Sequence, residues 1–252
     1  MKGSQLKNIG VLITRPNKQN QELDSAIKNY GGNAILFPVI NIKPFPYITI
    51  KSNKEQLKAA SIIIFVSINA AINGTDHFNF KDTTVIAIGP STKNYLEKNN
   101  ITVSYCPKNE YKSELLLQHP LLNNVKNKII TIVRGESGRE FLSEELSKRQ
   151  AKVQYLETYK REQQSHTEKE IINLKESFSK GLVNFIVIMS FETFTFLSTI
   201  LHSNQIKLPN SIKFVVPSRR IANKIEAHSK NNICIISPNT QISSIISTIQ
   251  KN

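Results

Sequence analysis

At 252 residues the chain can bury a sizeable core in one or two domains, and 39% hydrophobic residues with 12 Phe exclude a disordered polymer. The net charge of +14 points to a polyanionic partner or reflects a composition rich in Lys, Asn and Ile, but the basic residues are scattered without interleaved aromatics, which argues against a nucleic-acid face. No apolar run approaches membrane-spanning length and the N-terminus lacks a signal pattern, so the expectation is a cytoplasmic protein without membrane contact. Cys106 and Cys234 fit neither a disulfide framework nor a Cys-x-x-Cys site and read as buried free thiols. The five His show no helical i, i+4 pair, and no metal site is expected.

In chain order, a polar lead-in (1–8) precedes an apolar strand at Val11 to Ile13 and a helix with Leu23, Ala26, Ile27 and Tyr30 inward, stopped by Gly31-Gly32. Ala34 to Phe45 is extended, and Pro38, Pro44 and Pro46 mark it as an edge or a connector. A helix on Leu57 and Ala60 is expected within 48–60, then a strand at Ile62 to Ser67 and a helix from Asn69. Val85 to Ile88 and Val103 to Cys106 read as strands, with helices at Thr92 to Lys98 and Ser113 to Gln118.

Asn127 to Glu162 reads as a complete strand-turn-helix-strand unit. Ile129 to Val133 is an unbroken, mostly β-branched run, which suits a parallel strand covered on both faces. Ser137 stands three residues before Glu140, the spacing of a capping box, so the spacing predicts a helix start there. Phe141, Leu142 and Leu146 form its apolar stripe, while Glu144 with Lys148 and Glu145 with Arg149 stand four apart on the wet side. Val153 to Tyr159 turns extended again. A helix at Thr167 to Phe178 follows, then strands at Phe185 to Met189, Phe214 to Val216 and Ile233 to Ile236 with helices between and after them.

The plan repeats. The first strand-helix-strand echoes the unit at 127–162, IIIFVSINAA (62–71) echoes FIVIMSFETF (185–194), and VIAIGPST (85–92) echoes KFVVPSRR (213–220). The offset of roughly 120 to 130 residues indicates an internal duplication, hence two similar α/β domains with parallel sheets flanked by helices.

Ligands of open α/β sheets lie beyond the carboxyl ends of the strands. The residues there are Thr14, Arg15, Ser67, Ser91, Thr92, Arg134 to Gly138, Ser190 and Ser218 to Arg220. They are hydroxyls and arginines at helix starts, with no Cys-His pair, Ser-His-Asp set or carboxylate pair. Helix N-termini offer free amides for carboxylates or phosphates, although Ser and Thr at such places also serve as plain caps. RGESGR is neither a P-loop nor a G-x-G-x-x-G fingerprint, so nucleotide binding is unsupported.

The set VLITRP, FPVINI, IIFVSINAA, VIAIGPSTKNYL, IVRGESGREFLSEEL, YLETYKRE, FIVIMSFETF and VVPSRRIA, spread over Gly10 to Ser237, resembles the uroporphyrinogen-III synthase family. The resemblance implies two α/β domains joined by a two-stranded β connector, with an active-site cleft between them. On this sequence the first domain would be 1–37 with 163–252, the connector strands 38–45 and 155–162, and the second domain 46–154. The implied substrate is hydroxymethylbilane, a linear tetrapyrrole octacarboxylate, cyclised to uroporphyrinogen III with loss of water and inversion of ring D. The implied enzyme uses no cofactor and makes at most a transient contact to hydroxymethylbilane synthase; the sequence shows no extended heptad or exposed apolar helix, so a monomer is expected. A polyanion-binding module of the same fold without activity is the alternative.

By the same resemblance Tyr159 is the hydroxyl assisting departure of the ring-A hydroxyl, unless it only packs. Thr92, Ser91, Ser67, Ser190 and Ser218 are substrate-binding positions. Arg15, Arg134 and Arg139 meet carboxylates or only hold the domain edges. Two positions depart from the pattern. Asn69 stands where relatives place a basic residue. Gln150 stands where they favour Gly, and would need a left-handed cap costing about 1 kcal/mol or a different helix end.

Overall fold

The computed structural model describes residues 5–16, 20–46, 57, 59–107, 113–138, 140–229 and 231–252. The expected helix within 48–60 and the expected site residue Arg139 lie largely or wholly outside the described residues. The chain divides into two compact units, Met1–Asn41 with Glu162–Asn252, and Ile42–Arg161.

The first unit holds the parallel strands β1 (Gly10–Ile13) and β2 (Asn33–Leu36), joined by helix α1 (Gln21–Asn29). Leu23 and Ile27 are the buried residues of α1. The helix stops because Gly31 takes φ +81, which lets the Gly32 amide reach back to the Ile27 carbonyl at 3.0 Å. The second unit opens with β3 (Ile40–Pro44), β4 (Ile62–Phe65), α2 (Ile68–Gly74), β5 (Thr84–Ala87), α3 (Pro90–Lys98) and α4 (Ser113–Leu116). It continues through β6 (Ile129–Gly135), α5 (Phe141–Lys148) and β7 (Lys152–Gln163), along which the chain returns to the first unit. There follow α6 (Glu168–Ser179), β8 (Phe185–Val187), α7 (Phe191–Ser203), β9 (Lys213–Val216), α8 (Arg219–His228), β10 (Ile233–Ile236) and α9 (Ile242–Gln250).

The sheet orders carry the duplication. One sheet runs β2-β1-β8-β9-β10. The other runs β7-β6-β4-β5, with Tyr105 bridging Ile86 beyond β5 and β3 added outside β7. Strand for strand, β6 corresponds to β1, β7 to β2, β4 to β8 and β5 to β9, which are the sequence echoes found above. Within each sheet these strands join their neighbours in parallel.

Alternation explains the apolar runs. In β4 all four residues are buried because Ile62 and Ile64 face one core, with Ile86, Ile130, Ile132 and Leu146, while Ile63 and Phe65 face another, with Val85, Ala87, Val133 and Leu156. In the first unit Val11, Ile13, Val187 and Val215 pack against Leu23, Ile27, Ile245 and Ile249. Both cysteines are free, and burial pushes the Cys234 thiol up to about 11, consistent with an unreactive core thiol.

Three local expectations need correction. The Ser137–Glu140 capping box does not form. Ser137 sits at φ +52 with its hydroxyl on the Glu136 carbonyl, Glu140 is drawn to Arg134 and Tyr155, and α5 begins only at Phe141. The capping box is instead at Thr167, whose hydroxyl takes the Glu170 amide at 3.3 Å while the Glu170 carboxylate takes the Thr167 amide at 2.7 Å. On α5, Lys148 pairs with Glu145 at 2.6 Å, and Arg149 turns inward to the carbonyls of Leu117 and Leu122. Gln150 does take the left-handed conformation, at φ +61. The extended stretch 34–45 is two strands. β2 ends at Leu36, and Phe37-Pro38-Val39 separates it from β3.

Candidate active site

In the Ile42–Arg161 unit the site is built on an irregularity of β7. Arg134 pairs with Glu157 but Gly135 pairs with Tyr159, so Thr158 is an extra residue in the ladder. Without the bulge Tyr159 would share the face of Tyr155 and Glu157. With it, Tyr159 joins Leu156 in the core that packs Ala70, Ala71 and Val133. Its backbone carbonyl accepts the Glu136 amide at 2.6 Å, and the Thr158 carbonyl accepts the Phe45 amide at 3.0 Å. Gly135 faces the ring directly. A Cβ there would lie 2.7 Å from Cζ and 2.8 Å from Cε2.

Tyr159 is 2% exposed, and its hydroxyl meets the Ser67 hydroxyl at 3.1 Å. Ser67 follows β4 and is the N-cap of α2, accepting the Ala70 amide at 3.1 Å, and it is half-buried. Thus one strand end and one bulge bring together two hydroxyls that are 92 residues apart in the chain.

The neighbouring strand end works differently. Helix α3 begins at Pro90 after Gly89, without a side-chain cap. The amides of Ser91 and Thr92 are therefore those left over at a helix start. Ser91 is exposed, whereas Thr92 is 3% exposed and buried at the third position of the helix. Gly-Pro-Ser-Thr thus offers two amides and two hydroxyls, a small cradle for a carboxylate.

Arg134, at the carboxyl end of β6, is committed to its own unit. Nε and Nη2 donate to one Glu157 oxygen at 3.1 and 3.0 Å, Nη1 donates to Glu140 at 2.8 Å, and the guanidinium lies 3.6 Å from the centre of the Tyr155 ring. The Tyr155 hydroxyl donates to the other Glu140 oxygen. This hydroxyl first, and Arg134 second, hold the Glu140 carboxyl below its ordinary pKa. Such an arrangement holds the strand-helix corner together.

In the other unit Ser190 and Ser218 cap α7 and α8, accepting the amides of Thr193 at 3.1 Å and Ile221 at 3.4 Å. The Ser190 hydroxyl also meets that of Thr193 at 2.8 Å. Thr14 donates to the Val187 carbonyl at 2.6 Å and is fully buried. Arg15 contrasts with Arg134. Its Nη2 donates to the Thr240 carbonyl at 3.2 Å, its buried Nε has no hydrogen-bond partner among the described residues, and burial lowers its pKa, with Glu22 pulling partly back. A guanidinium stays charged under such burial, and its Nε remains a donor that could meet an acceptor.

Sequence reasoning named Ser67 and Tyr159 separately, and the structure brings them together. It separates Ser67, Ser190 and Ser218, which cap, from Ser91 and Thr92, which do not. Sequence reasoning placed Gly135 only within the rim stretch Arg134 to Gly138, without its contact to Tyr159, and missed Thr193. Thr193 was recoverable from the duplication, since it follows Ser190 as Ala70 follows Ser67. Nothing local marked the contact of Gly135 with Tyr159, 24 residues on. Among the described residues no cluster of three or more His, Cys, Asp or Glu is placed to hold a metal, and no helix is long and apolar enough to cross a membrane.

A duplicated α/β protein whose two mainly parallel sheets present hydroxyls, helix-start amides and arginines at the carboxyl ends of their strands is the class that fold and rim define. A family model described as Uroporphyrinogen-III synthase HemD matches residues 21–247. Uroporphyrinogen-III synthase of Escherichia coli (strain K12) is 29% identical over 160 residues, 61% of this chain and 65% of that protein. That of Proteus mirabilis is 29% identical over 160 residues, 61% of this chain and 80% of that protein. The match therefore spans somewhat less than two thirds of the E. coli relative. A crystal structure of a mutant uroporphyrinogen III synthase from the extremely thermophilic bacterium Thermus thermophilus superimposes with TM-score 0.62 at 14% identity, covering 97% of this chain and 100% of that one. The synthetase of Helicobacter pylori 26695 does so with TM-score 0.63 at 9% identity, covering 96% and 99%. The chain belongs to the uroporphyrinogen-III synthase family.

Proposed function

We propose that this chain cyclises hydroxymethylbilane to uroporphyrinogen III, as a cytoplasmic, monomeric lyase that eliminates water. The observation that carries the reading is the hydroxyl pair of Ser67 and Tyr159, 3.1 Å apart, in a chain whose family match runs from 21 to 247.

The chemistry asks little of acid-base residues. The ring-A hydroxymethyl group leaves with the help of the pyrrole nitrogen, giving an azafulvene-type electrophile. Ring D attacks through its substituted carbon, and the spiro intermediate fragments and recloses with the ring inverted. The oxidation level does not change. The substrate closes unaided to the type I isomer, so the protein contributes chiefly position and exclusion of water. Proton donation from the hydroxyl pair assists the departing oxygen. The cradle at Ser91 and Thr92, and the cation of Arg15, suit the substrate's carboxylates.

The test is product isomer analysis. Freshly generated hydroxymethylbilane is given to the purified protein, the reaction is stopped and oxidised, and type I is separated from type III uroporphyrin. Type III scaling with protein is the expected result. Type I alone, at the rate without protein, would overturn the reading and leave a polyanion-binding module.

A further inference from the structure

We propose that Ser67 is the hydroxyl that meets the departing group, and that Tyr159 is the buried donor behind it. The inference rests on the cyclisation reading above and refines which atom carries the proton.

The Tyr159 hydroxyl has Ser67 as its hydrogen-bond partner and no other among the described residues. The Ser67 oxygen has two lone pairs and one proton. One lone pair takes the Ala70 amide at 3.1 Å. Two hydroxyls share two protons, and the bond between them uses one. The other proton is free for a third party.

Exposure decides which oxygen holds it. Tyr159 is 2% exposed, its ring is closed off by Gly135 on one side, and it is embedded with Val133 and Leu156. Ser67 is half-buried, at the open end of β4. Tyr159 therefore donates to the second lone pair of Ser67, and the Ser67 proton points outward. All four positions around the Ser67 oxygen are then assigned: Cβ, the Ala70 amide, the Tyr159 hydroxyl and the outgoing proton.

The step balances. The carbon–oxygen bond of the hydroxymethyl group breaks with its electron pair on oxygen. That oxygen takes the Ser67 proton and leaves as water, while Ser67 takes the proton of Tyr159. The phenolate so formed faces the cationic azafulvene. When the ring closes, the unsubstituted α-carbon of the terminal pyrrole loses its hydrogen, and this proton returns through Ser67 to Tyr159. Both hydroxyls are restored.

Ser67→Gly is the informative variant, because Gly caps a helix nearly as well as Ser but has no hydroxyl. The type III kcat is expected to fall about 100-fold, the scale of general acid assistance, with KM within about threefold. Ser67→Thr, which keeps cap and hydroxyl, should recover most of the rate. The dependence of kcat on deuterium fraction should be curved in the parent, where two protons move, and linear in Ser67→Gly. A reading independent of turnover is the phenol carbon–oxygen stretch of Tyr159, isolated as the infrared difference against Tyr159→Phe. A donating phenol is expected in the parent, and loss of that signature in Ser67→Gly. An accepting phenol in the parent, or a Ser67→Gly kcat within about threefold of the parent, would overturn the proposal. Failure of the parent to make type III would instead remove the reaction, while the infrared band would still decide the direction of the hydrogen bond.

Discussion

Replacing Gly135 by Ala drives a methyl group into the face of Tyr159. The added carbon would sit 2.7 Å from Cζ, 2.8 Å from Cε2 and 3.1 Å from the hydroxyl oxygen. Ordinary contact begins near 3.4 Å, so the ring must retreat by about 0.7 Å, the difference between 3.4 and 2.7 Å. Neither backbone can yield easily. Gly135 lies in β6 between β4 and β7, and Tyr159 is held by the Glu136 amide at 2.6 Å. The ring is pressed instead into the core of Ile63, Phe65 and Leu156. Overpacking of this kind costs about 1–3 kcal/mol. Gly135 is not among the positive-φ residues, so the penalty is steric and not conformational. Urea unfolding should show a midpoint lowered by about 1 M for a loss of about 2 kcal/mol. Combination with Tyr159→Leu makes the test specific. Once the ring is gone the same methyl group has room, and its additional cost should fall below about 0.5 kcal/mol, a coupling expected of contacting residues. A cost of Gly135→Ala under about 0.5 kcal/mol on its own, or an equal cost in both backgrounds, would refute the reasoning.

Two further outcomes are expected. Arg15→Gln should raise KM about 10- to 100-fold with kcat within about threefold, because a charge-assisted hydrogen bond contributes about 1.5–3 kcal/mol. Arg134→Gln should leave KM alone and lower stability, and steady-state kinetics that reversed the two arginines would contradict their assignment. The depressed Glu140 carboxyl gives a pH dependence. Its stabilising contribution is full above the ordinary carboxylate pKa and is lost as pH falls through the lower folded-state value. The urea midpoint should therefore drop on acidification from about pH 5 to about pH 3, less steeply in Glu140→Gln, and equal slopes in the two proteins would count against the Arg134–Glu140–Tyr155 arrangement.

The parallel sheets were legible because Ile62 to Phe65 and Ile129 to Val133 are apolar at every position but Thr131, which only a strand buried on both faces requires. The turn at Gln150 was legible only as a choice, since the resemblance favours Gly there and left a left-handed cap or a different helix end open; the structure takes the left-handed cap, at φ +61. Ser137 misled because spacing alone cannot register a competitor. Glu140 had the spacing to close a capping box, but an arginine six residues earlier and a tyrosine fifteen residues later hold its two oxygens. The arginines were indistinguishable for the same reason. Arg15 and Arg134 both follow a strand run in the sequence, and only the folded neighbourhood supplies Arg134 with two carboxylates while the Nε of Arg15 has no partner among the described residues.

By itself the sequence determined the fold class, the duplication and the set of hydroxyls at the strand ends. These follow from hydrophobic period and local helix-start chemistry, which act over a few residues. Tertiary structure decided which hydroxyls meet. Alternation along β7 assigns Tyr159 to the face of Tyr155 and Glu157, and the extra residue at Thr158 turns it to the opposite face, against Gly135 and within 3.1 Å of Ser67. A bulge is a property of two strands in register, so no reading of one strand contains it.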